Sequence, residues 1–168
     1  IVGIITAGER FASIDNLMTV LRLASAAGVL AIGMTFVITA GGIDLSVGSV
    51  LGLSTIVATT AAVQDLGGSV GWWAIVLVAL LVGTFAGLIN GVLIAYGKVV
   101  AFMATLAMMV AAKGLAEIIS GNRNQIINNK GFKDFFQGEF IGINVQIWMF
   151  VLVAAVAWFI FNRTTFGR

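Results

Sequence analysis

Few residues in this sequence could do chemistry, and the clearest candidate lies in apolar surroundings. The stretch ITAGGIDLSVGS, residues 38–49, places Asp44 and Ser46 beside two glycines. A carboxylate at that position could bind a proton or a cation, or it could accept hydrogen bonds from the amides that open a helix. Lys113 and Glu117 form a second ionisable set in an apolar stretch, and their spacing allows them to pair on one helix face. These residue types can bind ions or protons and can form hydrogen bonds.

The composition excludes several classes of protein. Hydrophobic residues make up 60% of the 168 residues and charged residues 10%, whereas a soluble domain is about half apolar and a quarter charged. Because the chain has no histidine and no cysteine, we expect no metal site and no cofactor. The net charge of +2 describes short loops, which argues against nucleic acid as a partner. The composition indicates an integral membrane protein, in contact with the lipid bilayer.

Long apolar stretches define the elements that position these residues. A helix needs about 20 mostly apolar residues to cross the hydrocarbon layer of a membrane. We therefore predict an all-α fold, a polytopic integral membrane helical bundle with about five full spans plus a clipped first helix. The predicted spans cover residues 17–39, 46–63, 72–96, 99–119 and 146–162, and the clipped helix covers residues 1–8. The span at 99–119 either crosses fully or is re-entrant, because Lys113 and Glu117 lie near its end.

The longest polar segment is 120–145, which mixes basic and amide side chains with four phenylalanines. This mixture predicts either a structured loop or a helix that lies in the membrane interface with its phenylalanines toward lipid.

The stretch around Asp44 predicts a broken helix at 41–48. Gly41 and Gly42 allow backbone angles that end one helix, and Asp44 or Ser46 then supplies an oxygen to cap the next. A carboxylate at mid-membrane costs roughly 2.5–3.5 kcal/mol on insertion scales, whereas a good cap returns about 1 kcal/mol. Asp44 should therefore face protein, water or a cavity. If the break lies at the membrane surface, a plain loop with an Asp cap suffices.

A ladder of glycines predicts close helix packing. Glycines spaced four residues apart lie near one helix face and let another backbone approach closely. The ladder comprises Gly83, Gly87 and Gly91 in one span and Gly48 and Gly52 in the preceding one. Asn90 lies beside it, where its amide either hydrogen-bonds across helices or faces a permeation path.

The charges do not determine how the chain is oriented in the membrane. If residue 1 leaves the cytoplasm, the basic residues divide between the two sides without the cytoplasmic excess that is usually found. Those inside would be Lys98, Arg163 and Arg168, and those outside would be Arg10, Arg123, Lys130 and Lys133.

Residues 33–54, GMTFVITAGGIDLSVGSVLGLS, resemble a segment of the permease subunits of ATP-binding-cassette sugar importers of the ribose, xylose and arabinose type. Weaker similarities follow in the same order and cover essentially the whole chain: GVLIAYGKVVAF, ATLAMMVAAKG, FFQGEFIGINVQIW and NRTTFGR. The chain departs from this family in having no proline, so the family's helix breaks near Val100 and before Trp148 should be softer here.

The resemblance implies that residues 1–168 form a single transmembrane domain, the N-terminal half of a longer permease whose coupling loop and C-terminal spans lie beyond it. It places Lys98 and NRTTFGR in the cytoplasm and the 120–145 segment outside. It also implies a bacterial cytoplasmic (inner) membrane protein with three partners: an ATP-binding-cassette ATPase subunit, an extracytoplasmic sugar-binding protein and a second permease copy.

From these residues and the resemblance we expect a permease component that moves a small hydrophilic solute, a monosaccharide, into the cell without catalysing a covalent step. The path or gate would involve Gly41, Gly42, Asp44, Ser46 and Asn90, with Asp44 fixing backbone amides. Two alternatives stay open from the residues themselves. One is an ion-coupled secondary transporter or channel in which Asp44 binds a proton or Na⁺, and the other is a membrane-embedded enzyme or assembly factor.

Overall fold

The computed structural model describes residues 13–164. Most of the described residues are helical, and one short hairpin lies near the end. In chain order the elements are α1 (Ile14–Thr39), α2 (Val47–Ala58), α3 (Ala61–Ser69), α4 (Trp73–Ala95), α5 (Ala101–Ser120), α6 (Lys130–Gln137), β1 (Glu139–Phe140), β2 (Ile143–Asn144) and α7 (Val145–Arg163). The clipped helix predicted at 1–8 lies outside the described residues.

Four of the helices, α1, α4, α5 and α7, are long and apolar enough to cross a membrane. The pair α2 and α3 also passes as a broken or re-entrant span, which gives up to five crossings within residues 13–164. The predicted all-α, polytopic membrane bundle is confirmed, and so is the break at 41–48, because α1 ends at Thr39 and α2 begins at Val47.

The span predicted over 46–63 corresponds to α2 and the start of α3, and the structure adds a bend of 62° between these two helices. Two threonines lie at the bend. The Thr59 hydroxyl donates to the Ile56 carbonyl at 2.7 Å, and the Thr60 hydroxyl donates to the Val57 carbonyl at 2.8 Å. Hydroxyls that bond to carbonyls of the preceding turn compete with the helical ladder and bend helices. Thr60 itself has extended backbone angles, φ −62° and ψ 147°.

The described residues fall into two compact units, residues 36–134 and residues 13–35 with 135–164. In the first unit α2 packs against both α4 and α5. Its buried apolar residues are mostly small, and small side chains let membrane helices approach closely. They are Leu53, Ala58, Ala74, Ile75, Ala86, Ala104 and Ala112.

Glycines make two close contacts that the spacing rule did not single out. In the 36–134 unit a Cβ on Gly67 would lie 2.6 Å from the Ile75 side chain, which is fully buried. In the other unit a Cβ on Gly28 of α1 would overlap the Phe150 ring of α7. Both glycines are therefore needed for helix packing, although neither belongs to the predicted ladder.

The predicted ordering of the 120–145 segment is confirmed, because it contains α6 and the β1–β2 hairpin. Helical spacing places the phenylalanines of α6 on one face and its charged residues on the other. In the unit of residues 135–164, the Trp148 indole N–H donates to the Phe140 carbonyl at 3.1 Å, which attaches the hairpin to the first turn of α7.

A polar site at the broken span

The break begins with a left-handed residue that ends α1. Gly41 has φ +78°, a conformation that side chains disfavour. Its N–H donates to the Ile38 carbonyl, and the Gly42 N–H donates to the Val37 carbonyl, each at 2.9 Å. This pair of bonds satisfies carbonyls that the helix end would otherwise leave free. The predicted role of the two glycines in ending the helix is confirmed.

Asp44 is tied to the residue that opens α2. One carboxylate oxygen, Oδ1, accepts from the Ser46 N–H at 2.7 Å and from the Ser46 hydroxyl at 2.6 Å. Ser46 occupies the N-cap position of α2, but its own side chain makes no capping bond. The prediction of Ser46 as a side-chain cap is therefore wrong. Its hydroxyl donates its single proton to the carboxylate and points away from the helix amides.

Asn90 of α4 completes a buried relay with these two residues. Its Nδ2 donates to the Ser46 hydroxyl oxygen at 3.2 Å. Ser46 is 2% exposed and Asn90 is 6% exposed. Because the Ser46 proton is used by Asp44, the hydroxyl can only accept from Asn90, and this fixes the direction of the relay from amide to hydroxyl to carboxylate. The predicted hydrogen bond of Asn90 across helices is confirmed.

Thr105 of α5 adds a second tie to the break, one that sequence reasoning missed. Its hydroxyl lies 3.2 Å from the Ile43 carbonyl and 2.9 Å from the Ala101 carbonyl of its own helix. The side chain is 2% exposed. A hydroxyl in an apolar helix ordinarily bonds to its own preceding turn, so nothing in the local sequence around Thr105 assigns it to the site.

The relay leaves one acceptor unused. Within residues 13–164, the Asn90 Oδ1 atom is buried and has no hydrogen-bond partner. A buried polar atom without a partner is costly, about 1–3 kcal/mol, so such atoms are uncommon. The arrangement can therefore accept a hydrogen bond from a hydroxyl or amide group at this point.

The glycine ladder does not pack against another backbone within the described part of the chain. A Cβ on Gly48, Gly52, Gly87 or Gly91 would meet nothing within 4 Å, and one on Gly83 would make an ordinary contact with the Ser54 hydroxyl at 3.6 Å. Gly87 and Gly91 are exposed. Their packing role stays a prediction that requires a partner outside these residues.

The other polar candidates lie apart from the relay. Lys113 and Glu117 are both exposed on α5. A separate cavity of about 480 Å³ lies among α2, α4 and α5, and every residue that lines it is apolar, including Leu53, Phe85 and Met108. A hydrophilic solute would find no hydrogen-bonding side chain there. The polar site of this unit is therefore the broken span.

The bundle and its broken span define a multi-pass membrane protein with a polar interruption among apolar helices. The chain belongs to the family described as branched-chain amino acid transport system / permease component, which matches residues 16–168. It lies in the bacterial inner membrane as a multi-pass protein. No solved structure matches the chain significantly.

Several curated proteins are similar to the chain. The ribose import permease protein of Haemophilus influenzae is 40% identical over 162 residues, which is 94% of this chain and 49% of that protein. The galactofuranose transporter permease protein of Escherichia coli is 38% identical over 148 residues, 88% of this chain and 42% of that protein. The ribose import permease protein of Bacillus subtilis is 37% identical over 160 residues, 91% of this chain and 47% of that protein. The chain thus spans about half the length of these relatives.

Proposed function

We propose that the chain is part of a permease that moves a monosaccharide into the cell. Support comes from the family match and from relatives named for the import of ribose, fructose and L-arabinose. In this proposal residues 1–168 form one transmembrane domain of a longer permease. A separate ATP-binding-cassette ATPase subunit supplies the energy, and an extracytoplasmic sugar-binding protein delivers the solute. The permease itself catalyses no covalent step.

The broken span is the candidate path or gate, and the buried relay from Asn90 through Ser46 to Asp44 is the observation that carries this proposal. Irregular backbone at membrane depth is tolerated only where it is buried in protein or lines a water-filled cavity. The relay holds the start of α2 against α4 by polar contacts that can break and re-form without disturbing an apolar core. Gly41 and Gly42 supply the sharp end of α1 that makes room for it.

Asp44 acts in this proposal as a fixed acceptor. Its Oδ1 already accepts two hydrogen bonds from Ser46, one of them from the backbone. The role of Asp44 is therefore to hold the backbone that opens α2, and ion or proton binding is the alternative that the experiments below separate from it.

A second copy of the permease is proposed to complete the path. The exposed glycines of α4, Gly87 and Gly91, offer a smooth surface for a helix that belongs to another copy. Alternating access requires packed helices to slide or rock, and contacts between glycine faces permit this with little steric resistance.

The test replaces Asp44 with Asn in the full-length permease, reconstituted with its ATPase and binding protein. The amide retains one oxygen that can accept from Ser46, so folding should survive, but the charge-assisted bonds weaken by roughly half. We expect uptake of labelled ribose to fall about fivefold, which corresponds to about 1 kcal/mol. Asp65→Asn, an exposed carboxylate on α3, is the matched control. Unchanged folding with unchanged uptake would remove Asp44 from the mechanism.

The same reconstituted system distinguishes ATP-driven import from ion-coupled transport. Uptake should stop when vanadate blocks ATP hydrolysis and should survive dissipation of the proton and sodium gradients. Uptake that follows an ion gradient and continues without ATP would overturn the proposal in favour of the ion-coupled alternative.

A further inference from the structure

Gln64 of α3 joins two parts of the 36–134 unit that are distant in sequence. Its Nε2 donates to the Thr59 carbonyl at 2.8 Å and lies 3.4 Å from the Ile126 carbonyl. Its Oε1 accepts from the Asn128 N–H at 2.7 Å. One side-chain amide therefore bonds both to the bend between α2 and α3 and to the segment that follows α5.

The two backbone groups that the Gln64 amide contacts are spaced as they would be for pairing with a neighbouring β-strand. The Ile126 carbonyl and the Asn128 N–H are two residues apart, which is the spacing at which a strand presents an acceptor and a donor to the same neighbour. Residues 124–129 have no regular secondary structure, so no helix or sheet ladder holds this stretch in place. The Gln64 amide supplies both a donor and an acceptor.

Neighbouring contacts extend this attachment to α6. A Cβ on Gly67 would lie 3.5 Å from the Asn129 amide nitrogen, so the absence of a side chain lets the segment approach α3. The Asn129 Oδ1 accepts from the Phe132 N–H at 3.0 Å in the first turn of α6. The start of α6 also lies close to α4, because a Cβ on Gly131 would be 3.1 Å from Trp72.

The segment that Gln64 holds is basic. Residues 120–134 carry three basic side chains, Arg123, Lys130 and Lys133, and one acidic side chain, Asp134. Arg123, Lys130 and Asp134 are exposed. A partner that binds this surface should present acidic groups, because complementary charges raise the rate of encounter and fix its orientation.

We propose that Gln64 is a positioning residue for the docking of the extracytoplasmic binding protein. It holds residues 126–128 against α3 and so orders the basic surface of residues 120–134, which the resemblance places outside the cytoplasm, before that partner docks. This inference rests on the proposed function. Pre-ordering of a loop improves affinity, since less conformational freedom is lost on binding. Loss of Gln64 should therefore weaken docking and leave the transport step intact.

The experiment uses the complete transporter in proteoliposomes and varies the concentration of its binding protein loaded with D-ribose. Gln64→Leu keeps the size of the side chain and removes its donor and its acceptor. We expect the half-maximal concentration for uptake to rise roughly tenfold, as the loss of one to two net hydrogen bonds predicts, with an unchanged maximal rate. Gln64→Glu keeps the acceptor for the Asn128 N–H and should fall between Gln64→Leu and the wild type.

Gln125→Leu is the matched control, because Gln125 lies in the same segment and its Nε2 donates locally to the Ser120 carbonyl at 3.1 Å. It should leave the half-maximal concentration unchanged. A second measurement, hydrogen exchange of the full-length permease in nanodiscs, should show faster exchange of the Asn128 amide in Gln64→Leu and not in the control.

The results separate the two proposals. An unchanged half-maximal concentration, or unchanged exchange at Asn128, would overturn the role of Gln64. A fall in the maximal rate alone would also overturn it, because it would place Gln64 in the transport step. If the wild-type transporter shows no ATP-driven uptake, the proposed function fails, and the exchange at Asn128 still decides whether Gln64 orders the segment.

Discussion

The relay at the broken span predicts that Ser46→Ala is more damaging to stability than Asn90→Leu, although the serine is the smaller side chain. The Ser46 hydroxyl donates to Asp44 at 2.6 Å and accepts from Asn90 at 3.2 Å. Its loss leaves the Asn90 amide, 6% exposed, without any partner in residues 13–164. A buried donor left unsatisfied costs about 1–3 kcal/mol, so we expect Ser46→Ala to lower the free energy of unfolding by about 2 kcal/mol.

Asn90→Leu removes the same hydrogen bond by another route. It also removes the Asn90 Oδ1, which is buried and unpartnered, and it puts an apolar group of similar size in its place. The lost hydrogen bond destabilises the protein and the removal of the unpartnered oxygen stabilises it, so we expect the free energy of unfolding to fall by less than about 1 kcal/mol. The double variant loses the bond without leaving an orphaned amide, and it should be less damaging than the sum of the two changes. The coupling should be about 1 kcal/mol, within the range measured between membrane helices.

The assay is reversible unfolding of the full-length permease in mixed micelles titrated with a denaturing detergent. Ser49→Ala is the control, because the Ser49 hydroxyl donates only to the Ser46 carbonyl of its own helix turn, at 2.9 Å, and its loss should change stability by less than about 0.5 kcal/mol. If the two single changes simply add, within about 0.3–0.5 kcal/mol, the relay is absent and the site at the break is refuted.

Two pairs of glycine substitutions test the backbone around the site. Gly41→Ala should lower the free energy of unfolding by about 1–2 kcal/mol, because φ is +78° there. Gly48→Ala should raise it by about 0.5–1 kcal/mol, because that helical position has open space. Detergent unfolding that ranks the two variants in the opposite order would contradict the structure. Gly67→Ala should cost about 1–3 kcal/mol through overlap with the buried Ile75, and Gly68→Ala should cost nothing since it meets no atom within 4 Å. Equal thermal stability of these two neighbours would show that α3 does not pack against α4 as described.

The long helices could be predicted from the sequence because each one is a long run of apolar residues. Each of α1, α4, α5 and α7 is an apolar run of 19 to 26 residues, and over that length composition alone identifies a helix that can span a membrane. The break at 41–48 was also predictable. Two adjacent glycines followed by a carboxylate have no place inside a continuous membrane helix.

The partners of the site were less predictable, because they depend on which helix faces which. Asn90 was a candidate, but nothing in its own segment identifies Ser46, which is 44 residues away, as its acceptor. Thr105 and Gln64 each make a contact across more than 60 residues, and their local sequence is equally consistent with a polar residue that bonds to its own helix. The packing role of the glycine ladder stays a prediction for a related reason, since the spacing of Gly83, Gly87 and Gly91 does not identify the helix that would cover this face.

The length of α2 explains why both of its ends carry such contacts. Its 12 residues extend about 18 Å, which is less than the hydrocarbon thickness of about 30 Å. If α2 crosses the membrane, at least one of the two interruptions that flank it lies at hydrocarbon depth, where irregular backbone must be buried in protein or line a water-filled cavity. Asp44 supplies an acceptor at the first interruption and Gln64 supplies a donor to Thr59 at the second. Each end of α2 thus has a polar side chain that hydrogen-bonds to backbone at the adjoining interruption.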